Sequence, residues 1–284
     1  MFDLVFAKPA RRAGVGGVVS SRFLLVASLA VVACGRSATS GAVETSDGLA
    51  PPPHPGERPG VAVVELFTSE GCSSCPPAEE VFARLVADAR ANREPIFPVA
   101  FHVDYWDEIG WKDPWSSAAF TARQGDYAHA WGRTSMYTPE VIVDGQDEMV
   151  GSDDEGMRAA IARALDRPAM VGVTLAPKPL EQGEGGARVV VADVELSSVP
   201  AEARVVAALV ERDLTSTVTA GENAGQTLHH TNVVRVLETL APALHVPVRW
   251  TAPPSLRLDA SSMVVWVQRT KDGRIVGAAA KDLE

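Results

Sequence analysis

Short apolar runs alternate with helical stripes in the first folded part of the chain. Residues 61–67 form an apolar run rich in β-branched residues, which predicts a buried strand. Val81, Leu85 and Ala89 then recur at a helical spacing and predict a helix with one apolar face. The pattern over residues 61–167 therefore predicts the order strand, helix, strand, insertion, strand, strand, helix. The later strands of this series are predicted at residues 96–103, 140–145 and 149–151. The last helix is predicted from capping-box spacing at Ser152 and Glu155 and from a buried face of Met157, Ile161 and Leu165.

The pattern changes after residue 167, where helical stripes give way to short β-rich runs. These runs predict a β-sandwich over residues 168–284. Its longest predicted loop, residues 213–230, ends in His229-His230. Neighbouring side chains on an extended strand point to opposite faces, so we expect these histidines at the surface or an edge, sharing no metal. The runs are residues 171–175, 188–196, 205–211, 233–240, 246–250, 263–269 and 274–280.

The N-terminal part predicts an export signal followed by a spacer. A basic flank leads into the apolar stretch 23–32, which is typical of a secretory signal peptide over residues 1–33. The stretch ends in Val-Val-Ala-Cys34, which resembles the bacterial lipoprotein cleavage motif, in which the cysteine is lipidated. An ordinary signal peptide with an incidental cysteine is the alternative. Residues 34–60 are rich in Ser, Gly and Pro and predict a flexible linker.

Composition and charge exclude several classes of function. The chain has 284 residues, of which 46% are hydrophobic, and this composition is globular. Its formal net charge of −10 at pH 7 repels phosphate backbones, so we expect no nucleic-acid partner. No apolar run approaches the roughly 20 residues of a membrane-spanning helix. The membrane contact that we expect is therefore through a lipid on Cys34.

Two cysteines separated by two residues carry the clearest chemistry. With Cys34 acylated, the exported chain keeps Cys72 and Cys75, an even pair in an oxidising compartment. A thiol at a helix start has a lowered pKa and reacts as a thiolate near neutral pH. We expect an exposed Cys72 to attack a substrate disulfide and Cys75 to resolve the mixed disulfide. Ser73 and Ser74 would tune the reduction potential through hydrogen bonds to sulfur.

The cysteine pair has two other interpretations, a structural disulfide and a pair of metal ligands. A disulfide that closes so small a loop gives little entropic stabilisation, which favours redox chemistry over a structural role. The tandem prolines Pro76-Pro77 predict that the helix begins at Pro76 rather than at Cys72. Cys72 would then feel less of the helix dipole.

The strand, the Cys72-Ser-Ser-Cys75 turn and Thr138-Pro139 resemble the thioredoxin superfamily. Four strings further resemble a secreted bacterial thioredoxin-like family catalogued as domain of unknown function 1223. They are ELFTSEGCSSCPP from residue 65, HVDYWD from 102, GWKDP from 110 and YTP from 137. The resemblance implies an α/β thioredoxin-like domain with a mixed sheet, in which a cis Pro139, supported by Thr138, joins the two cysteines as a catalytic residue. It also places Glu65 near a buried acid that relays protons in that superfamily.

The insertion between the predicted strands is rich in aromatic residues. Asp113 followed by Pro114 fits an N-cap and a first helical position, so we predict a helix over residues 114–130. The aromatic side chains either fill a second small core or line a peptide groove beside the cysteines. Trp106 and Trp111 are the candidates for that groove, because tryptophan combines a large apolar surface with a polar tip.

These patterns together predict a lipid-anchored protein of the bacterial cell envelope that faces the periplasm. We expect a thiol-disulfide oxidoreductase, whose partners are exported protein thiols or disulfides and a redox partner protein. No cofactor is expected besides the redox-active disulfide. One alternative is a copper metallochaperone that uses Cys72, Cys75 and His102, since cysteine and histidine suit soft metals. The other is a non-catalytic thioredoxin-like interaction lipoprotein, in which His102 is an ordinary structural histidine.

Overall fold

The computed structural model describes residues 58–283 together with a two-residue strand, Asp3–Leu4. Apart from that strand, the predicted signal peptide lies outside the described residues, as do Cys34 and most of the linker. Within the described part of the chain, no helix combines the length and the apolar character needed to cross a membrane.

Helices and strands of the described chain alternate at first and then give way to strands alone. The α-helices are α1 (Pro76–Asn92), α2 (Ala118–Ala130) and α3 (Asp154–Leu165). The first strands are β1 (Asp3–Leu4), β2 (Ala62–Thr68), β3 (Ile96–His102), β4 (Ser135–Met136), β5 (Glu140–Val143), β6 (Asp147–Val150), β7 (Val173–Pro177) and β8 (Glu181–Gln182). The later strands are β9 (Arg188–Leu196), β10 (Ala203–Glu211), β11 (Leu214–Thr217), β12 (Thr227–His230), β13 (Val233–Leu240), β14 (His245–Thr251), β15 (Ser261–Arg269) and β16 (Ile275–Asp282).

Two predicted elements differ from the structure. The helix of the insertion begins at Ala118 rather than at Pro114, because Ser117 is its N-cap and accepts a hydrogen bond from the Ala119 N–H. Asp113 does not cap this helix, since its carboxylate accepts hydrogen bonds from His102 Nδ1 and the Glu70 N–H. The long loop predicted between residues 213 and 230 contains the antiparallel hairpin β11–β12.

Strands from both halves of the chain form one mixed eight-stranded sheet. Its order is β16-β15-β10-β13-β3-β2-β5-β6, with β2 parallel to β3 and antiparallel to β5. The halves join where β13 pairs parallel with β3, at Val233 and Ala100. The predicted boundary at residue 167 therefore falls between α3 and β7 but does not separate two sheets. Residues 58–283 belong to one compact unit.

Different layers cover the two ends of one sheet face. Helices α1 and α3 pack on β2 and β5 through a cluster that includes Leu66, Phe82 and Met157. Beside them, a second sheet of order β14-β9-β7, with β8 paired to β9, packs on β10 and β15. Val190 and Leu209 lie in this second interface. The described chain thus has a helical layer and a sheet layer side by side.

The opposite face of the large sheet carries a third apolar cluster that runs through both halves. It includes Phe67 from β2, Val206 from β10 and Phe120 from α2. Cys72 and Cys75 belong to the same cluster. The fold therefore places the cysteine turn at the edge of a core that both halves of the chain build.

Candidate active site

The cysteine turn connects the end of β2 with the start of α1. Cys72 and Cys75 form a disulfide, and their Cα atoms lie 5.4 Å apart. Helix α1 begins at Pro76, as the tandem prolines predict, and Cys75 is its N-cap residue. The Cys75 N–H donates to the carbonyl oxygen of Cys72 at 3.1 Å and so is not aimed at a sulfur. The Ser74 hydroxyl lies 3.4 Å from Cys72 Sγ.

Both cysteines are fully buried, which corrects the expectation of an exposed thiol at Cys72. Residues 218–226, between β11 and β12, lie against the turn and are called the cap loop here. The Asn223 amide donates to the carbonyl oxygens of Glu70 at 2.8 Å and of Cys72 at 3.0 Å. The Glu222 carboxylate accepts from the Ser73 N–H at 3.1 Å and from its hydroxyl at 2.7 Å. A segment far along the sequence thus closes the turn.

Pro139 lies at the same end of β2 as the cysteine turn. The Thr138-Pro139 peptide is cis, as the resemblance implies. Glu140, the next residue, pairs with Phe67 near the end of β2. The Thr138 hydroxyl accepts a hydrogen bond from the Trp106 indole N–H at 2.8 Å. The proline is therefore held next to the chain segment that leads into the turn.

Trp106 and Trp111 support the turn and do not form an open groove. Trp106 is buried, and a Cβ atom added at Gly71 would stand 3.1 Å from the Trp106 Cβ. A side chain larger than that of glycine would therefore crowd Trp106 at position 71, next to Cys72. The Trp111 indole donates to the Glu70 carboxylate at 2.7 Å and lies against the cap loop at Gly221.

Two histidines and three carboxylates form a buried cluster beside the turn. Asp113 Oδ2 accepts from His102 Nδ1 at 2.7 Å. His230 contacts Glu70 Oε1 through Nε2 at 3.0 Å and Glu79 Oε2 through Nδ1 at 2.5 Å. The two imidazole rings meet edge to face with centroids 4.9 Å apart. We call these five residues the acid–histidine cluster.

The acid–histidine cluster is connected to the cysteine turn through the backbone. Asp113 Oδ2 also accepts from the Glu70 N–H at 2.8 Å, two residues before Cys72. Glu79 lies in the first turn of α1, and its N–H donates to the carbonyl oxygen of Cys75. The cluster thus holds both ends of the disulfide turn.

Opposed charges set the protonation of the acid–histidine cluster. Burial disfavours a charged His230, but the carboxylates of Glu79 and Glu70 outweigh it and raise the pKa of His230 to about 10. Burial alone would raise the pKa of Glu79, yet His230 holds that pKa below its usual range. His102 likewise keeps the pKa of Asp113 low against the effect of burial. His230 is therefore an imidazolium between two carboxylates at neutral pH.

Among the described residues, the structure brings together a different metal-ligand set from the predicted one. One ligand atom each from Glu79, His102 and His230 lie within 4.8 Å of one another. Neither Cys72 nor Cys75 belongs to this group, and their sulfurs are joined in the disulfide. The three-residue copper site of the sequence alternative is therefore not assembled here.

Glu65 does not have the free carboxylate that a proton relay requires, which corrects that expectation. Its side chain is fully buried and pairs with the Arg123 guanidinium from α2, at 2.8 Å between Oε1 and Nη2. The Tyr127 hydroxyl donates to the same carboxylate. Glu65 therefore anchors α2 to β2.

Sequence reasoning missed most of the acid–histidine cluster and the cap loop. His230 was expected at the surface, but it is buried, whereas its neighbour His229 is exposed. Their opposite orientation does follow the strand pattern. Glu70 and Asp113 stood inside the family strings, and this was the available signal for their importance. No local pattern marked Asn223.

A cavity of about 620 Å³ lies away from the disulfide, between α1 and the last strands. Its lining includes Arg90, Asn232 and Asp282 and neither cysteine. Arg90 and Asp282 pair across it at 3.0 Å. The size of this cavity therefore says nothing about the cysteine turn.

The chain is similar to proteins of known structure but to no curated protein. A crystal structure of an Agrobacterium tumefaciens protein, from the Northeast Structural Genomics Consortium, shares 28% identity with a TM-score of 0.57 and covers 78% of this chain and 94% of its own. HBP35 of Porphyromonas gingivalis shares 13% identity with a TM-score of 0.58, covers 81% and 77%, and shows likeness of fold alone. The profile of the family described as Protein of unknown function (DUF1223) matches residues 63–268. Because this match spans more than half of the chain, the protein belongs to the DUF1223 family.

Proposed function

We propose that this protein is a thiol-disulfide oxidoreductase of the cell envelope. The observation that carries the proposal is the Cys72–Cys75 disulfide at the start of α1, with the Ser74 hydroxyl 3.4 Å from Cys72 Sγ. A disulfide between residues three apart contributes little to stability by closing a loop. A helix start favours the thiolate form of a reduced cysteine. The arrangement thus suits thiol-disulfide exchange better than a structural disulfide.

The proposed reaction moves two electrons between a substrate and the cysteine pair. A substrate thiolate attacks Cys72 Sγ, the S–S bond breaks, and Cys75 leaves as a thiolate. A second substrate thiolate then displaces Cys72 from the mixed disulfide, so that the substrate is oxidised and the pair is reduced. A redox partner protein with its own disulfide reoxidises the pair by the same exchange. The same steps in reverse reduce a substrate disulfide.

The finer fold that supports this function is also a proposal. Residues 61–167 would be a thioredoxin-like domain, supported by the order β2, α1, β3, β5, β6, α3 and by helices on both faces of these strands. Residues 168–284 would be a β-sandwich, supported by the face-to-face packing of two sheets. In this frame Pro139 would present its backbone to a substrate peptide at the cysteine turn.

Access to the disulfide requires movement of the cap loop. Cys72 is fully buried, while Ser73 beside it is exposed and is bound by Glu222. Breaking the contacts of Glu222 and Asn223 would uncover the turn without disturbing a regular element. We propose that substrate binding displaces this loop.

The proposed place of action is the periplasmic side of a bacterial membrane. The support is the basic and apolar N-terminal pattern that ends in Val-Val-Ala-Cys34. Acylation of Cys34 would anchor the protein, and residues 34–60 would act as a spacer. Exported proteins with thiols or disulfides are then the substrates within reach.

The test of this function is capture of the mixed disulfide. Cys75→Ala in the full chain removes the resolving sulfur, so we expect envelope proteins to remain covalently attached through Cys72. The variant is purified from cells, and non-reducing gels and mass spectrometry identify these adducts. The matched control is the double variant Cys72→Ala, Cys75→Ala, which should capture nothing.

Absence of adducts in cells, together with failure of the purified protein to reduce insulin or to oxidise a dithiol peptide, would refute the oxidoreductase. The same result would favour the non-catalytic interaction protein.

A further inference from the structure

We infer that Glu79, His102 and His230 form a binding site for a divalent transition-metal ion, separate from the cysteine pair. One ligand atom from each of these residues lies within 4.8 Å of the others. Zinc is held by nitrogen and oxygen ligands at about 2.0–2.2 Å, so tetrahedral ligands stand roughly 3.4 Å apart. For an ion to be held, His230 Nδ1 and Glu79 Oε2, now 2.5 Å apart, would separate by about 1 Å, and any pair farther apart than this spacing would approach.

His102 supplies the observation that points most directly to a ligand. The residue is fully buried, and its Nε2 has no hydrogen-bond partner within the described part of the chain. Buried polar atoms of this kind are rare because an unmade bond costs free energy. Asp113 accepts from His102 Nδ1 at 2.7 Å and also from the Glu70 N–H, so the carboxylate is an acceptor and the proton resides on Nδ1. The Nε2 lone pair is left to face Glu79 and His230.

His230 repeats the same arrangement. Its Nε2 contacts the Glu70 carboxylate at 3.0 Å, while Nδ1 meets Glu79 Oε2. Metal-bound histidines commonly donate their second N–H to a carboxylate, which fixes the ring and raises the basicity of the ligand. Both histidines of this cluster therefore have the outer carboxylate that a metal site uses. As a metal binds, His230 releases its Nδ1 proton to solvent.

The charge and chemistry of the cluster suit a dication. Glu70, Glu79 and Asp113 bring three carboxylates into a region shielded from water, and a buried negative cluster requires compensating positive charge. Two imidazole nitrogens and one carboxylate oxygen form a donor set typical of zinc. An all-oxygen set, by contrast, would suit magnesium or calcium.

The surroundings indicate a structural rather than a catalytic metal. The three ligands border a cavity of only about 10 Å³, whose other walls include Leu66, Phe82 and Ala100. This volume admits a single water-sized ligand and no substrate. The ligands come from α1, β3 and β12, so the ion would fasten the hairpin that carries the cap loop to the first half of the chain.

A zinc titration of the oxidised full chain tests this inference. The intact disulfide removes the cysteine thiolates as ligands, and a chelator first strips the protein. We expect one equivalent of zinc to bind in competition with a chromophoric chelator and to raise the Tm. Asp113→Asn should weaken zinc binding about tenfold or more, and His102→Ala and His230→Ala should weaken it further.

The neighbouring histidine offers a matched control. His229 lies on the same strand but is exposed, so His229→Ala should bind zinc as the wild type does. Because a ligand variant can fail to fold, circular dichroism accompanies each titration, and His102→Gln serves as a second variant of similar bulk. Substitution with Co²⁺ adds a spectroscopic signature, which we expect to lose its tetrahedral bands in His230→Ala.

Several results would overturn the inference. The inference is wrong if folded wild-type protein binds no stoichiometric zinc, because the hydrogen bonds of the acid–histidine cluster would then hold it without a metal. Equal zinc affinity in His102→Ala, His230→Ala and His229→Ala would overturn it as well. Binding that appears only after reduction of the disulfide would assign the metal to the cysteines. None of these results bears on mixed-disulfide capture, so the two proposals fail independently.

Discussion

Asp144 shows how strongly the fold acts on a single carboxylate. It stands in a turn after β5 with a φ of 52°, and its Oδ1 accepts from the Val63 N–H at 3.0 Å. Burial raises the pKa of Asp144 from 3.8 to about 6, against the opposing effect of that hydrogen bond and of Arg167. Folding therefore destabilises the ionised form of Asp144 relative to its neutral form.

This sign leads to a prediction for Asp144→Asn. A raised pKa means that the stability from the neutral carboxyl is present below pH 3.8 and is lost as pH rises through about 6. Asparagine keeps the acceptor oxygen and tolerates the positive φ. Relative to wild type, we expect the variant's free energy of unfolding to increase as the pH rises from 3.8 to about 6. The increase should reach roughly 3 kcal/mol at most at higher pH. Urea unfolding at a series of pH values measures this difference.

The control for Asp144 is Asp88→Asn, which changes an exposed carboxylate on α1. It should not reproduce the gain in stability expected for Asp144→Asn, because this carboxylate is not buried. Parallel curves for Asp144→Asn and wild type would show that burial of Asp144 does not control its ionisation.

Single residues also show where sequence reasoning stops. The helix start at Pro76 follows from local chemistry, whereas the cis peptide at Pro139 was expected only from the resemblance to the thioredoxin superfamily; both are observed. The role of His230 depends on Glu70 and Glu79, which are far away in sequence, and a strand pattern of adjacent histidines carries no information about them. Asp113 was predicted as a helix cap because aspartate before proline often caps a helix, but its carboxylate accepts a hydrogen bond from His102 instead.

At the scale of elements, the hairpin β11–β12 carries the cap loop that binds the cysteine turn. Its strands pair from Leu214 with His230 to Thr217 with Thr227. Polar residues and glycines dominate the segment, so the pattern predicts a loop, and only contacts with the cysteine turn reveal its position. The same hairpin brings Asn223 to the turn and His230 to the acid–histidine cluster.

We predict that Asn223→Ala accelerates reduction of the buried disulfide. The variant loses two hydrogen bonds from the cap loop to the turn, each worth about 1 kcal/mol. Opening of the loop should therefore be favoured about tenfold or more, and the disulfide should react faster with dithiothreitol by a similar factor. Alkylation of the released thiols followed by mass spectrometry gives the rate.

A second buried asparagine of the same chain offers a matched control. Asn232 is also buried, and its amide donates to the Pro98 carbonyl at 2.8 Å, away from the cysteine turn. Asn232→Ala should leave the reduction rate near that of wild type under native conditions. If both variants react at the wild-type rate, the cap loop does not limit access.

At the scale of the whole molecule, one sheet ties the two halves together. Pairing of β13 with β3 and a cluster that contains Phe67, Val206 and Trp266 both cross the predicted domain boundary. Sequence patterns located β9 and β13 at their observed bounds, because an apolar run is a local property, but they missed the hairpin β11–β12. They did not predict which strands are neighbours, since pairing between distant strands depends on contacts that a periodicity does not encode.

The shared sheet predicts a single cooperative unfolding transition. Hydrogen exchange of peptides from α1 and from β9, measured along a urea series, should give coincident midpoints, because the two halves share one cluster. Val206→Ala, which opens a cavity in that cluster, should lower both midpoints together by a similar amount. Two separate midpoints, with Val206→Ala moving only one, would instead indicate independent domains.

The place of β13 also determines the order in which the protein can be completed. A chain that emerges N-terminus first has made β2, β3 and β5 long before residues 233–240 exist, so the outer side of β3 stays without its partner throughout that interval. An unpaired strand edge readily joins the edge of another molecule. Premature termination before this strand should therefore yield an aggregating product, and slow delivery of the C-terminal half would prolong dependence on chaperones.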